Sequence, residues 1–215
     1  PAATDCTFLV DLAEGKKSLP DPPIASIGYQ ASIVITPQQE ADMDIKATLN
    51  NLLIPYTSNY AGTLLPGIRE YTVTPGEKTT TISGKGKAGL KQEENYYFFY
   101  LPVCYKGITG KSYAYYNTSR SKNLYLPASV DENYSYDIQL PENLTLCTPI
   151  QEKKIDNPIG SFKITLTSEG SSLHIELALQ IKKQLITPAE YPAFRSLITE
   201  WTDRTRKPIL FKTVQ

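Results

Sequence analysis

Short stretches rich in β-branched and aromatic residues recur along the first half of the chain, each stopped by turn formers. Residues 31–36, 44–49, 68–73 and 79–83 read as strands of this kind. Pro37, Pro55, the pairs Pro66-Gly67 and Pro75-Gly76, and the run Gly84-Lys85-Gly86-Lys87 supply the breaks, the last reading as a mobile hairpin tip. Residues 96–104, Tyr-Tyr-Phe-Phe-Tyr-Leu-Pro-Val-Cys, are the most apolar run. That run is too short for a helix and aromatic enough for a strand, so it is expected at the core, buried on both faces.

In the second half the pattern is a strict alternation. Tyr134, Tyr136, Ile138 and Leu140 alternate with polar neighbours, as do Phe162, Ile164 and Leu166, and then Leu173, Ile175, Leu177, Leu179 and Ile181. A period of two puts each set on one face of a strand. Glu169-Gly170-Ser171 between the last two sets predicts a hairpin.

One segment changes period. Thr187, Pro188 and Glu190 carry the cap, first-position and third-position signals of a helix start. Tyr191, Phe194, Leu197, Ile198 and Trp201 follow at helical spacing as a single apolar stripe. The helix should stop before Lys207-Pro208, and residues 209–214 then read as a last strand. The sum is a mainly β fold: an antiparallel β-sandwich, immunoglobulin- or fibronectin-like or larger, with one C-terminal amphipathic helix. Residues 1–28, with Pro20 and Pro22-Pro23, read as a short strand and an extended lead-in, the remnant of a link to an upstream domain. Residues 29–215 are the sandwich region, either undivided or split into modules 29–110 and 111–215.

Composition narrows the function classes. With 215 residues, 40% hydrophobic and 20% charged, the chain can build a real core. Its 22 Lys plus Arg balance 22 Asp plus Glu, so no long-range field favours nucleic acid. No apolar run approaches the roughly 18–20 residues that span a bilayer. Cys6, Cys104 and Cys147 lie far apart, without the close pairs of zinc or redox motifs, and read either as one disulfide plus a thiol or as buried apolar residues. Neither a metal nor a cofactor is expected.

Candidate chemistry is sparse. His174 is the only histidine, and its strand parity turns it outward, where a solvated role is expected rather than pairing with Cys104 or Cys147 as nucleophile and base. Glu93-Glu94 and Asp131-Glu132 are neighbours whose side chains point to opposite faces, so they cannot flank one glycosidic bond and read as solvated loop charges. The Gly-Lys run lacks the Ser or Thr and the helix of a phosphate loop. Among 15 tyrosines, Tyr113, Tyr115 and Tyr116 cluster as a candidate stacking face for a glycan or a protein. Three Asn-X-Ser/Thr sequons, at Asn117, Asn133 and Asn143, matter only in a eukaryotic secretory pathway.

Tyr125-Leu126-Pro127, Glu132-Asn133-Tyr134-Ser135-Tyr136, Ile138-Gln139-Leu140-Pro141-Glu142, Thr148-Pro149, residues 157–162, and Ile186-Thr187-Pro188-Ala189-Glu190-Tyr191 through Arg195 together resemble one particular module, and the ending from Trp201 to Lys212 also fits it. That module is the C-terminal domain of unknown function in multidomain, largely Bacteroidetes proteins, where it follows a transglutaminase-like, papain-type cysteine peptidase domain. The resemblance is close over about residues 90–215 and loose over 24–90. It implies secretion to the periplasm or cell surface and an accessory, non-catalytic β-sandwich whose partner is the upstream domain of the same polypeptide. It also aligns Asp11 with the last member of that domain's Cys-His-Asp triad, although Leu12-Ala13 departs from the family pattern and no Cys-His pair precedes it here, the one histidine being His174. The alternative expectation is a stand-alone module that binds a cell-surface glycan or protein through exposed tyrosines.

Overall fold

The structure is a computed structural model that describes residues 24–38, 40–50, 64–105, 107–108 and 119–214. The fold is mainly β with a single C-terminal helix among these residues. Strands β1 (Ile24–Ile35), β2 (Glu40–Asn50), β3 (Ile68–Pro75) and β4 (Thr79–Gly89) come first, followed by β5 (Lys91–Glu93), β6 (Tyr96–Phe99) and β7 (Leu124–Tyr125). Then come β8 (Ser129–Gln139), β9 (Leu144–Leu146), β10 (Gln151–Asn157), β11 (Gly160–Glu169), β12 (Ser172–Ile181) and β13 (Leu185–Ile186), with helix α1 (Tyr191–Arg206) and β14 (Ile209–Thr213) last.

Eight strands form one sheet in the order β10-β11-β12-β8-β1-β2-β4-β3. Every neighbouring pair is antiparallel except the central one, where β1 runs parallel to β8 from Ile24 opposite Ser129 to Val34 opposite Gln139. The sheet is thus two antiparallel quartets, one from each half of the chain, joined side by side. A parallel pair needs a long crossover, which the intervening strands supply. β1 starts at Ile24 and so takes in residues 24–28 of the expected lead-in.

Alternation decides the faces. Ile27, Tyr29, Ala31, Ile33 and Ile35 of β1 are buried, as are Ala41, Met43, Ile45, Ala47 and Leu49 of β2, while their neighbours face solvent. The alternating sets expected in β8, β11 and β12 are buried likewise, and β11 and β12 meet at a hairpin with Gly170 at φ 59°. A four-stranded sheet, β5-β6-β14-β9, adds Tyr97, Phe99, Ile209 and Phe211 to the same buried cluster.

Helix α1 carries the expected stripe inward, with Tyr191, Phe194, Leu197, Ile198 and Trp201 all buried. Trp201 stands edge-on to Phe162, centroids 6.5 Å apart, and tilts against Tyr134 at 5.6 Å. The capping box forms one turn before the helix proper. The Thr187 N–H donates to Glu190 Oε2 at 3.0 Å, and the Glu190 N–H donates to Thr187 Oγ1 at 3.4 Å.

Two expectations change. The apolar run 96–104 does reach the core, with Tyr97, Phe99, Leu101 and Cys104 buried, but it is a strand only as far as Phe99: Tyr96 and Tyr100 are exposed and Pro102 lies in irregular chain, because Pro cannot donate to a ladder. The run Gly84-Lys85-Gly86-Lys87 is no hairpin tip but the middle of β4. Its glycines let β3 approach: β3 is bulged between Ile68 and Glu70, and a Cβ on Gly84 would sit 2.7 Å from Tyr71 Cα, with one on Gly86 2.6 Å from the Gly67 carbonyl. Gly84→Ala is expected to cost about 1–3 kcal/mol, read as a lower urea midpoint, with the amides of β3 losing hydrogen-exchange protection before those of β8 and β12.

Candidate functional site

The inner row of β8 is polar where the sheet is otherwise apolar. Glu132, Tyr134 and Tyr136 succeed one another on the covered face, Glu132 only 2% exposed. The expectation of a solvated loop carboxylate at Glu132 is therefore corrected: it lies inside a strand, while Asp131 points the other way.

These three side chains hold the segment that leaves β6. The Tyr136 hydroxyl donates to the Pro102 carbonyl at 2.7 Å, and the Ile108 N–H donates to Glu132 Oε1 at 2.5 Å. Glu132 Oε2 accepts the Tyr134 hydroxyl at 3.2 Å. Gly107 lies against the same carboxylate so closely that a Cβ there would come within 2.5 Å of Oε2. Between these anchors a turn closes through the Gly107 N–H to the Cys104 carbonyl, and the Tyr105 N–H reaches the Leu64 carbonyl.

Around the carboxylate stands an aromatic group. Tyr29 lies 5.4 Å from Tyr134 and 5.7 Å from Tyr136, centroid to centroid. The Tyr29 hydroxyl and the Trp201 indole N–H are enclosed without a hydrogen-bond partner among the described residues. Burial pushes all three tyrosines above the ordinary phenol range. Burial likewise raises Glu132 to about 7, against the pull of the Ile108 and Tyr134 hydrogen bonds, with Asp131 adding to the rise. Both carboxylate oxygens are engaged and the site is closed, so the arrangement can hold a proton near neutral pH and fix a loop.

The opposite face carries the histidine. His174 Nδ1 meets Asp137 Oδ1 at 2.7 Å across the β12–β8 pair, and Nε2 lies 3.5 Å from Glu176, which Lys163 approaches at 3.4 Å. Cys104 packs with Tyr29 and Tyr134 on the covered face, so the sheet itself separates it from His174. No disulfide joins Cys104 to Cys147, which sits beside β14. Glu93 and Glu94 are exposed at the β5–β6 turn. Asp11, Cys6, Tyr113, Tyr115 and Tyr116 lie outside the described residues. Among the described residues no cluster of His, Cys, Asp and Glu could hold a metal ion, and no helix is long and apolar enough to cross a membrane.

Sequence reasoning missed Glu132 because Asp131-Glu132-Asn133 looks like a turn. The signal was its parity with Val130, Tyr134, Tyr136 and Ile138.

Fold and site together define a layered β module built on a buried polar row and closed by one helix. The chain belongs to the family described as a domain of unknown function with solved structure, DUF3858, whose pattern matches residues 95–211. No curated protein matches it. Among solved structures, the crystal structure of a "putative protease" from Parabacteroides distasonis is similar, with a TM-score of 0.51 and 31% identity over 57% of this chain. The match spans 24% of that protein's chain.

Two pH effects follow. Glu132 ionises less readily folded than unfolded, so its share of stability is complete below about 4.5, its ordinary value, and is lost as pH rises through about 7. Urea unfolding between pH 4 and 8 should show that fall, on the order of 3 kcal/mol at most, and Glu132→Gln should flatten it. His174 is held above its ordinary value, first by the Asp137 hydrogen bond and then by Glu176, against slight desolvation. Proton NMR titration of this single histidine should give a midpoint above 6.5, and Asp137→Asn should bring it down.

Proposed function

We propose that this chain is an accessory module of a longer, secreted Bacteroidetes protein and contributes no catalytic residue of its own. In this reading it packs on or positions a transglutaminase-like cysteine peptidase domain upstream in the same polypeptide, in the periplasm or at the cell surface. The observation that carries the reading is the match to the Parabacteroides distasonis structure: that protein is described as a "putative protease", yet only 24% of its chain corresponds to this one. A catalytic centre in the remainder of such a protein would leave this part free of catalytic duty. The site is consistent with that division, since both oxygens of its buried carboxylate are taken up by the Ile108 N–H and the Tyr134 hydroxyl.

A module of this kind must present a rigid surface. The buried polar row serves that end, because a fully hydrogen-bonded interior group specifies one arrangement of the segment it holds.

The test uses the native protein. An antibody raised to this chain, applied to fractions of the source cells, should detect a species far larger than 24.0 kDa in the envelope. A free species near 24.0 kDa, or one confined to the cytoplasm, would overturn the reading.

A further inference from the structure

Helix α1 meets the edge strand β10 along a seam pinned at two points. Lys153 Nζ binds Glu200 Oε1 at 2.6 Å, and Asn157 Nδ2 donates to the Ala193 carbonyl at 3.1 Å. Between the pins Ile155 is only half-buried, and a groove of about 450 Å³ opens there. Such a volume lies within the range of about 300–1,000 Å³ typical of ligand pockets.

The groove has an apolar lining and a basic rim. Ile155, Pro188, Pro192 and the ring of Tyr191 form its apolar part, beside the hydroxyls of Ser119, Ser196 and Thr199, and this part is stiff, since two members are prolines and Tyr191 is locked against Phe194 at 5.8 Å. Arg120 and Arg195 line it as well, and the Arg120 guanidinium carbon lies 5.9 Å over the Tyr191 ring. One acidic residue lines the groove, Glu200, and Lys153 and Arg204 answer it from outside, Arg204 at 3.9 Å. Neither Arg120 nor Arg195 has a carboxylate within ion-pair distance among the described residues. Two unanswered guanidiniums over an apolar trough are a local excess of positive charge on a chain whose net charge is zero.

We propose that this groove docks an extended peptide segment bearing a carboxylate side chain flanked by aliphatic residues. The guanidinium fork matches a carboxylate with two parallel hydrogen bonds, and stacking on Tyr191 keeps Arg120 in place to make them. The apolar lining selects a peptide over an inorganic anion, because it gains only from aliphatic side chains laid on Ile155 and the prolines. The pins on either side keep the groove open before any ligand arrives, which lowers the ordering cost of binding. Docking of this kind requires no upstream domain, so it stands or falls apart from the accessory role.

The probe is the blocked peptide acetyl-Leu-Asp-Leu-Glu-Leu-amide, titrated into the isotope-labelled chain and followed by backbone amide NMR. Saturable shifts are expected at residues 153–157 and 191–200, with affinity falling as salt is raised. Arg120→Ala and Arg195→Ala should each weaken binding about tenfold, the loss of one charge-assisted hydrogen bond. Neither arginine is buried, so the thermal midpoint should hold and binding loss can be separated from unfolding. The proposal fails if those amides do not move, if the Asn and Gln version of the peptide binds equally well, or if the double variant binds like the parent.

Discussion

Strand β8 lies between β1 and β12 and gives its whole inner row, Val130, Glu132, Tyr134, Tyr136 and Ile138, to the core. A slip of one residue would turn Asp131, Asn133, Ser135 and Asp137 inward instead, a cost that fixes the register. The same row sets three further things. It joins the two antiparallel quartets through β1, offers Tyr134 to Trp201 and so seats the helix, and binds Ile108 and Pro102 through Glu132 and Tyr136. A buried carboxylate in this place is tolerated because each of its oxygens receives a donor, Ile108 N–H on one and the Tyr134 hydroxyl on the other.

The two surfaces of the molecule differ in kind. The open face of the large sheet is polar and largely satisfied within itself, with Lys163, Glu176, His174 and Asp137 forming a line of charge across three strands. The seam between α1 and β10 leaves two arginines unanswered beside apolar side chains. Self-satisfied charges have little to gain from a partner, whereas unanswered ones over an apolar lining do.

Much of the architecture was legible in the chain. The alternation in β8, β11 and β12, the hairpin at Gly170, the helix stripe from Tyr191 to Trp201 and the last strand all follow from period and turn chemistry, which are local properties. What local reasoning missed is set by distant partners. The run from Tyr96 reaches the core as expected, yet it forms only the short inner strand β6 between β5 and β14, and the chain beyond Phe99 is held by side chains of β8 rather than by a ladder. Gly84 and Gly86 look like a turn until β3 is laid on them. The parallel β1–β8 joint has no signature in either strand alone. Glu132 shows the same limit at the site: its buried fate depends on Ile108 and Gly107 arriving from another part of the chain.

The parallel joint also bears on the order in which the molecule can be assembled during synthesis. The pairings among β1 to β4 need no later segment of the chain, but the far side of β1 has no partner until β8 has been made. Closing that long loop is entropically slow, and in the interval a half-sheet with an uncovered apolar face and an open central edge stands exposed. The newborn chain therefore passes through a stage in which it is more adhesive than at any later time, and a cell exporting it unfolded across a membrane would keep that stage out of the crowded interior.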